Sequence, residues 1–333
     1  MRNHMIRKAS ALFLSLTTLY LFASCGSKKG EATRIVPIGI LLPESGRSET
    51  QSVRGLRDGL KELGYNEEEN ILLEMRDAKG DRGALKSMAD ELVSKKIHLI
   101  FTTGTRATQA AMAATSKTPI VFRHPADPVA LGLVKSMKRP GGNVTGVAAL
   151  ALQVTENRLE VLKQVVPGVR RVHIFYASND KFSHENFAFT SKLAEKLGLE
   201  VVEHGIKSGD ELKKSFDNLQ TEEGDALFHI PDDLVESEAD FIFQTARQKK
   251  LPTMFNEEPW AIKGALAAYG PSYYEMGRQA AGLVDKILKG QKPENLPVEL
   301  ARKFDLIINM RTVNTIGLTV PPEVLKKADK VIR

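Results

Sequence analysis

The amino-acid sequence predicts an α/β protein built from doubly wound parallel sheets. Segments that are almost entirely apolar, such as RIVPIGILLP (34–43) and RRVHIFYAS (170–178), alternate with amphipathic segments such as RGALKSMADELVSKK (82–96). Strands that are apolar throughout are typical of parallel sheets covered by helices on both faces. The chain has 333 residues, more than one core usually fills, so we expect about two domains, each with its own sheet.

The first half of the chain is predicted to alternate strands with helices. We expect strands at 34–43, 70–78, 97–105 and 118–128. We expect helices at about 49–63, 82–96, 106–116 and 129–137. Pro140, Gly141 and Gly142 then punctuate the chain before a short β-prone segment, and we place the break between the two halves there.

The second half repeats this alternation. Its first helix, TENRLEVLKQVVPG (155–168), has a start signal at Thr155 and a stop signal at Pro167 and Gly168. Strands are expected at 170–178, 199–205, 225–233, 251–258, 264–270 and 303–309.

The N-terminus has the three parts of an export signal. A basic segment, MRNHMIRK, precedes an apolar run, and Ala23 and Ser24 then precede Cys25, the only cysteine of the chain. This arrangement resembles a bacterial lipobox, in which the cysteine becomes the lipidated N-terminus, although Phe22 stands where the pattern usually has leucine. We therefore expect a lipoprotein signal peptide (1–24), lipidation at Cys25, a tether (25–33) and a membrane-anchored location in the cell envelope. A plain secreted protein with an unused cysteine is the alternative.

Charge and motifs argue against several classes of function. The net charge is +6, but acids and bases are interspersed along the body, which disfavours nucleic acid as a partner. Nucleophile elbow, phosphate loop and zinc-helix motifs are missing from the sequence. His124 with Asp127 is the one loop pair worth considering for a metal. We predict no cofactor, no metal and no catalytic residues.

Polar side chains concentrate at the predicted carboxyl ends of the strands, where open parallel sheets bind ligands. Ser45, Gly104 and Thr105 precede helices, whose free N–H groups suit a carboxylate. Acidic side chains that could receive an ammonium group follow other strands, at Asp127, Asp180, Asp232, Asp233, Glu257 and Glu258. Each of these residues could equally be an ordinary helix N-cap.

Four segments resemble a known family, the ABC transporter substrate-binding proteins that include the tryptophan-binding TrpX-like lipoproteins. They are GLRDGLKELGYNEEENILLEMRDAKGD (55–81), DPVALGLVKSMKRPGGNVTGV (127–147), RLEVLKQVVPGVRRV (158–172) and the segment 287–333. The resemblance implies a type I periplasmic-binding-protein fold, with two lobes joined by three crossovers near 143–146, 256–258 and 296–300. The first lobe would combine 34–145 with 259–295, and the second 146–258 with 296–333.

The resemblance also implies a function. A monomer would close its lobes around a small solute, such as an amino acid, and deliver it to a membrane permease powered by an ATPase. The same clamshell could instead serve a surface sensor, or a hydrolase using Asp232 and Glu257. The ligand-binding residues would be Ser45, Gly104, Thr105, Asp127, Asn179, Asp232, Glu257 and Tyr269.

Two further sets of residues bear on the ligand. Tyr269, Tyr273 and Trp260 are candidate stacking partners. Arg106, Arg123 and His124 depart from the family pattern, and two arginines near a cleft would favour a more acidic ligand than tryptophan.

Overall fold

Parallel pairing of the apolar segments builds two sheets in the computed structural model, which describes residues 35–43, 46–67, 69–124 and 127–333. The signal peptide, Cys25, the tether and Ser45 therefore lie outside the described residues. Residues 35–333 form one compact unit. Within the described residues, no helix is both long enough and apolar enough to cross a bilayer.

Apart from two short strands at 299–300 and 330–332, which the sequence did not predict, the strands of the described chain overlap the segments that the sequence predicts. They are β1 (Val36–Leu42), β2 (Ile71–Asp77), β3 (Leu99–Thr103), β4 (Ile120–His124), β5 (Val144–Ala148), β6 (Arg171–Ala177), β7 (Glu200–Ile206), β8 (Asp225–Phe228), β9 (Thr253–Phe255), β10 (Ala267–Pro271), β11 (Glu299–Leu300), β12 (Phe304–Asn309) and β13 (Lys330–Ile332).

The helices cover both faces of the sheets, as two-faced burial of the strands requires. They are α1 (Arg47–Glu62), α2 (Arg82–Ser94), α3 (Gly104–Ala114), α4 (Ala151–Val165), α5 (Lys181–Lys196), α6 (Gly209–Asp217), α7 (Asp233–Ser237), α8 (Ala239–Gln248), α9 (Glu258–Lys263), α10 (Tyr273–Leu288), α11 (Met310–Ile316) and α12 (Pro322–Lys327). A 3₁₀ turn spans Pro293–Asn295.

The described strands are divided between a six-stranded sheet, in the order β11-β5-β4-β3-β1-β2, and a seven-stranded sheet, in the order β13-β12-β10-β9-β8-β6-β7. Pairing between these strands is parallel except between β10 and β12. We call the six-stranded sheet with α1–α3 and α10 the first lobe, and the remaining strands and helices the second lobe. The predicted class, two doubly wound parallel-sheet lobes, is confirmed.

Sheet membership places the lobe boundaries differently from our prediction. Strand β10 lies in the second sheet, between β9 and β12, so residues 259–271 do not return to the first lobe as predicted. The chain returns to the first lobe only at Tyr273, where α10 begins. Strand β11 then pairs with β5 in the first sheet. The chain therefore crosses between lobes after β5, between β10 and α10, and between β11 and β12. The alternation of strands and helices carries no information on which sheet a strand joins.

The predicted helix at 129–137 is wrong. Asp127 accepts hydrogen bonds through its carboxylate from the N–H groups of Val129 and Ala130, which closes a tight turn. Further turns follow, and Gly132 has a φ of 67°, in the left-handed region that ends a helical run. The apolar residues Leu133 and Val134 are still buried, so the hydrophobic pattern reflected burial and not helical periodicity.

Helix α10 joins the first lobe through unusually close packing on α1. A Cβ atom added at Gly55 would lie 1.9 Å from the carbonyl oxygen of Tyr274, and one at Gly277 would lie 2.0 Å from that of Ser52. Only glycine permits such an approach of the two backbones. This packing fixes the N-terminus of α10, and with it Tyr273, to the first lobe.

We expect Gly277→Ala to destabilise the protein by about 1–3 kcal/mol, because the added methyl group forces the two helices apart. Gly282→Ala, in the same helix, is the matched control, since an added Cβ there meets nothing within 4 Å. That control should be neutral or stabilising by up to about 1 kcal/mol. Urea unfolding measures both; equal effects of the two substitutions would contradict this account of the packing.

Candidate functional site

The strand ends of the first lobe bring together a buried arginine, a carboxylate and an aromatic ring. Arg123, near the end of β4, is only 2% exposed. Its Nη2 lies 3.3 Å from Oε1 of Glu49 in the first turn of α1. Its guanidinium carbon lies 4.4 Å from the ring centroid of Tyr273, a cation–π geometry. Glu49 therefore balances a charge that would otherwise be costly to bury.

The second lobe has a similar arrangement around Arg158. This side chain projects from α4 and is also 2% exposed, with Nη2 donating to the carbonyl oxygen of His229 at 2.8 Å. Its guanidinium carbon lies 4.7 Å from the centroid of the Phe228 ring. Burial lowers the pKa of Arg158 to about 9, opposed by the charge of Glu257. The guanidinium is therefore still protonated at neutral pH.

A hydrogen bond joins the two lobes at this point. The hydroxyl of Tyr273 donates to Oε1 of Glu257 at 2.6 Å, and Glu257 lies two residues after the end of β9, at the N-cap of α9. Burial raises the pKa of Tyr273 well above its usual value, and the charge of Glu257 acts in the same direction. The hydroxyl therefore remains a donor. The polar cluster, by which we mean Glu49, Arg123, Tyr273, Glu257, Arg158, His229 and Glu236, is thus continuous across both lobes.

His229 and Glu236 complete the second-lobe side of the polar cluster. The His229 ring stacks on Phe255 at 4.4 Å between centroids, and burial, followed by the charge of Arg158, holds its pKa well below the usual value. Nε2 of His229 lies 3.6 Å from Oε1 of Glu236. Burial also raises the pKa of Glu236 to about 8, with the charge of Glu257 as the second cause. Both groups are therefore mainly uncharged at neutral pH.

Three buried polar atoms near these strand ends lack a hydrogen-bond partner among the described residues. Thr103 Oγ1, Arg123 Nε and Arg158 Nε are buried and have no hydrogen-bond partner among the described residues. A buried polar group without a partner typically costs about 1–3 kcal/mol, so such groups are uncommon and concentrate where something else binds.

The structure brings some of the predicted site residues to these strand ends. Gly104, with a φ of 75°, begins α3 directly after Thr103, and Thr105 lies in the first turn of that helix. The N–H groups of this turn suit an anionic group. Glu257 belongs to the polar cluster itself. Their part in ligand binding remains a prediction.

Asp232 lies next to the polar cluster but has a structural task. It is buried, its Oδ2 accepts from the N–H of Ala177 at 2.7 Å, and its Oδ1 accepts from that of Val235 at 3.0 Å. The side chain therefore caps α7 and ties it to the end of β6. This is the ordinary N-cap role that the sequence left open.

Other predicted residues are not brought into the polar cluster. Asp127 is exposed and caps its own turn, and Asn179 is exposed in the turn after β6. Tyr269 stacks on Phe304, with centroids 6.1 Å apart, and packs against the second-lobe core. Arg106 is exposed. The side chain of His124 lies outside the described residues, as does Ser45.

Sequence reasoning did not select Glu49, Arg158, His229 or Glu236. A signal for Arg158 was present, because it shares the apolar phase of α4 with Val154 and Leu162, four residues away on either side. A charged residue in that phase must be buried with a partner. His229 and Glu236 had no comparable signal, since the contacts of His229 with Arg158 and Phe255, and the effect of Glu257 on Glu236, come from residues distant in sequence. The described residues contain no group of three or more His, Cys, Asp or Glu that could hold a metal.

Two sheet lobes whose strand ends face each other through a polar cluster define a two-lobed solute-binding protein. Residues 37–332 match the family described as ABC transporter substrate binding protein, and the chain belongs to this family. It is 30% identical over 297 residues to the tyrosine-binding protein of Clostridioides difficile (strain R20291), an alignment covering 89% of this chain and 85% of the relative. The family is one of solute-binding proteins and not of catalysts.

Solved structures agree on the fold. A Streptococcus pneumoniae ABC domain in complex with L-Trp has a TM-score of 0.76 and 26% identity, covering 90% of this chain and all of that one. The ligand-free, open structure of a Clostridium difficile substrate-binding protein with adhesive properties has a TM-score of 0.79 and 28% identity, covering 90% and 99% of the two chains. The resemblance to TrpX-like proteins of the type I periplasmic-binding-protein fold is confirmed.

The raised pKa of Glu236 predicts a pH-dependent stability. Between the unfolded pKa, near 4.5, and the folded pKa, about 8, the native state holds a proton that the unfolded state has released. The free energy of unfolding therefore falls as pH rises through this window. Gln cannot titrate, so we expect Glu236→Gln to be more stable than wild type by at least about 1 kcal/mol at pH 9. At pH 5 we expect the stability difference between the two proteins to be much smaller.

Urea unfolding at the two pH values measures this difference. Glu185→Gln, on an exposed part of α5, is the control and should show little change between pH 5 and pH 9 relative to wild type. A stability difference between Glu236→Gln and wild type that is the same at both pH values would show that Glu236 does not titrate in this window.

Proposed function

We propose that this chain is the solute-binding component of an ABC importer and captures a zwitterionic amino acid, preferably an aromatic one, between its lobes. The observation that carries the proposal is a buried arginine in each lobe, with Arg123 paired to Glu49 and Arg158 within electrostatic reach of Glu257. The similarity to a tyrosine-binding protein and to a structure in complex with L-Trp supports the ligand class.

The charges of the polar cluster favour a ligand without net charge. Arg123 is balanced by Glu49, and Arg158 lies within electrostatic reach of Glu257. Glu236 adds little charge at neutral pH because its pKa is about 8. The two arginines from which the sequence favoured an acidic ligand no longer support one, because Arg123 is paired with Glu49 and Arg106 is exposed.

The ligand would engage both lobes. In this proposal its carboxylate lies at the N-terminus of α3, against Gly104 and Thr105, and its ammonium group approaches Glu257. A ligand that contacts both lobes favours the closed arrangement by its difference in affinity between open and closed forms. The closed protein would then deliver its ligand, as a monomer, to a permease driven by its ATPase.

The location that we propose is the cell envelope, with a lipid at Cys25 as anchor. The basic segment, the short apolar run and the small residues before this cysteine support the assignment. More than one acyl chain would be needed for stable anchoring, because a single chain binds membranes only marginally.

We expect L-tyrosine, L-tryptophan or L-phenylalanine to raise the thermal unfolding midpoint, because a ligand that binds only the native state stabilises it. L-glutamate and L-lysine, which carry net charge, should raise it much less. Isothermal titration on the full chain checks the affinities. A larger effect of L-glutamate than of all three aromatic amino acids would overturn the ligand class, and no effect of any amino acid would overturn the proposed function.

We expect Cys25→Ser to move the protein from the membrane fraction to the soluble fraction of the producing cells, because the serine hydroxyl does not take the thioether-linked lipid. Fractionation followed by immunodetection measures this distribution. The exposed substitution Ser87→Ala in α2 is the control and should leave the protein with the membranes. Equal membrane association of Cys25→Ser and wild type would remove the anchor from the proposal.

A further inference from the structure

The hydrogen bond between Tyr273 and Glu257 connects two parts of the molecule that must move relative to each other if the lobes open and close. We propose that this bond is a latch: it holds the ligand-free protein in the arrangement in which the polar cluster is continuous across both lobes, and so increases affinity for the ligand. The effect on affinity rests on the proposed function, whereas the effect on lobe arrangement does not.

The donor of this bond is fixed to the first lobe. Tyr273 is the first residue of α10, and the close backbone packing of α10 on α1 holds that end of the helix. The Tyr273 ring also lies under the guanidinium of Arg123, which is in turn bound by Glu49. The position of the hydroxyl is thus set by contacts within one lobe.

The acceptor is fixed to the second lobe. Glu257 follows β9, and the neighbouring backbone lies directly on β10, because a Cβ atom at Gly270 would be 1.8 Å from the carbonyl oxygen of Asn256. Nδ2 of Asn256 approaches the same Oε1 at 3.4 Å. The charge of Arg158, in the same lobe, also attracts the carboxylate.

The bond is sensitive to the spacing of the lobes. At 2.6 Å it is short and charge-assisted, and a separation of about 1 Å more takes the two oxygens beyond hydrogen-bonding distance. A bond present in only one lobe arrangement raises the population of that arrangement. The apparent dissociation constant equals the intrinsic one divided by the competent fraction, so losing the bond weakens binding.

The two adjacent tyrosines offer a matched pair of variants. Tyr273→Phe removes the hydroxyl that bridges the lobes. Tyr274→Phe removes one that donates to Asp58 of α1 at 2.8 Å, within the first lobe. Using L-tyrosine and L-tryptophan as probes with the full chain, we expect Tyr273→Phe to weaken binding about tenfold and Tyr274→Phe to change it less than about twofold. Unchanged or tighter binding by Tyr273→Phe would overturn the latch.

A measurement without ligand separates the latch from the proposed function. Spin labels at Lys86→Cys in α2 and Lys181→Cys in α5, both on well-exposed side chains of different lobes, report the spacing of the lobes in a full chain that also carries Cys25→Ser. We expect the distance distribution to shift or broaden with Tyr273→Phe and not with Tyr274→Phe. Identical distributions in all three proteins would overturn the latch even if amino acids bind. A shift without amino-acid binding would instead sustain the latch and overturn the proposed function.

Discussion

A charged group can be buried only beside a partner, and this constraint organises the whole site. Each lobe buries an arginine at the carboxyl ends of its strands, Arg123 in one and Arg158 in the other. The negative charges of Glu49 and Glu257 offset part of the cost of removing these cations from water. The two carboxylates must then be held in place, which requires the first turn of α1 and the end of β9 to be rigid. Much of the surrounding packing serves that requirement.

The strands could be predicted from the sequence because parallel strands buried on both faces are apolar along their whole length. Strand β1 and strand β6 each lie within two residues of the predicted ends. The helix predicted at 129–137 failed because burial and helical periodicity produce similar patterns over a few residues. The predicted lobe boundaries were wrong for a different reason. Strand β10 and helix α10 are adjacent in sequence but belong to different lobes, and only long-range strand pairing determines which lobe each one joins.

The location of the candidate site could be predicted from the sequence, but the contacts between its side chains could not. The rule that ligands bind beyond the carboxyl ends of parallel strands selected Gly104, Thr105 and Glu257 correctly as residues of that region. It also selected Asp127 and Asp232, whose carboxylates the structure uses to close a turn and to cap α7. Arg158 was missed although its place in the apolar phase of α4 signalled burial, and Glu236 was missed because Glu257, the charge that affects it most, is distant in sequence.

The contact between α1 and α10 has a wider consequence. Backbone meets backbone there, at Gly55 and Gly277, so the spacing of the two helices is set by atoms that every residue shares. The packing that carries Tyr273 therefore does not depend on which side chains stand at the strand ends. Under the proposed function, side chains that contact the ligand could be exchanged during evolution while the spacing of α1 and α10 stays the same.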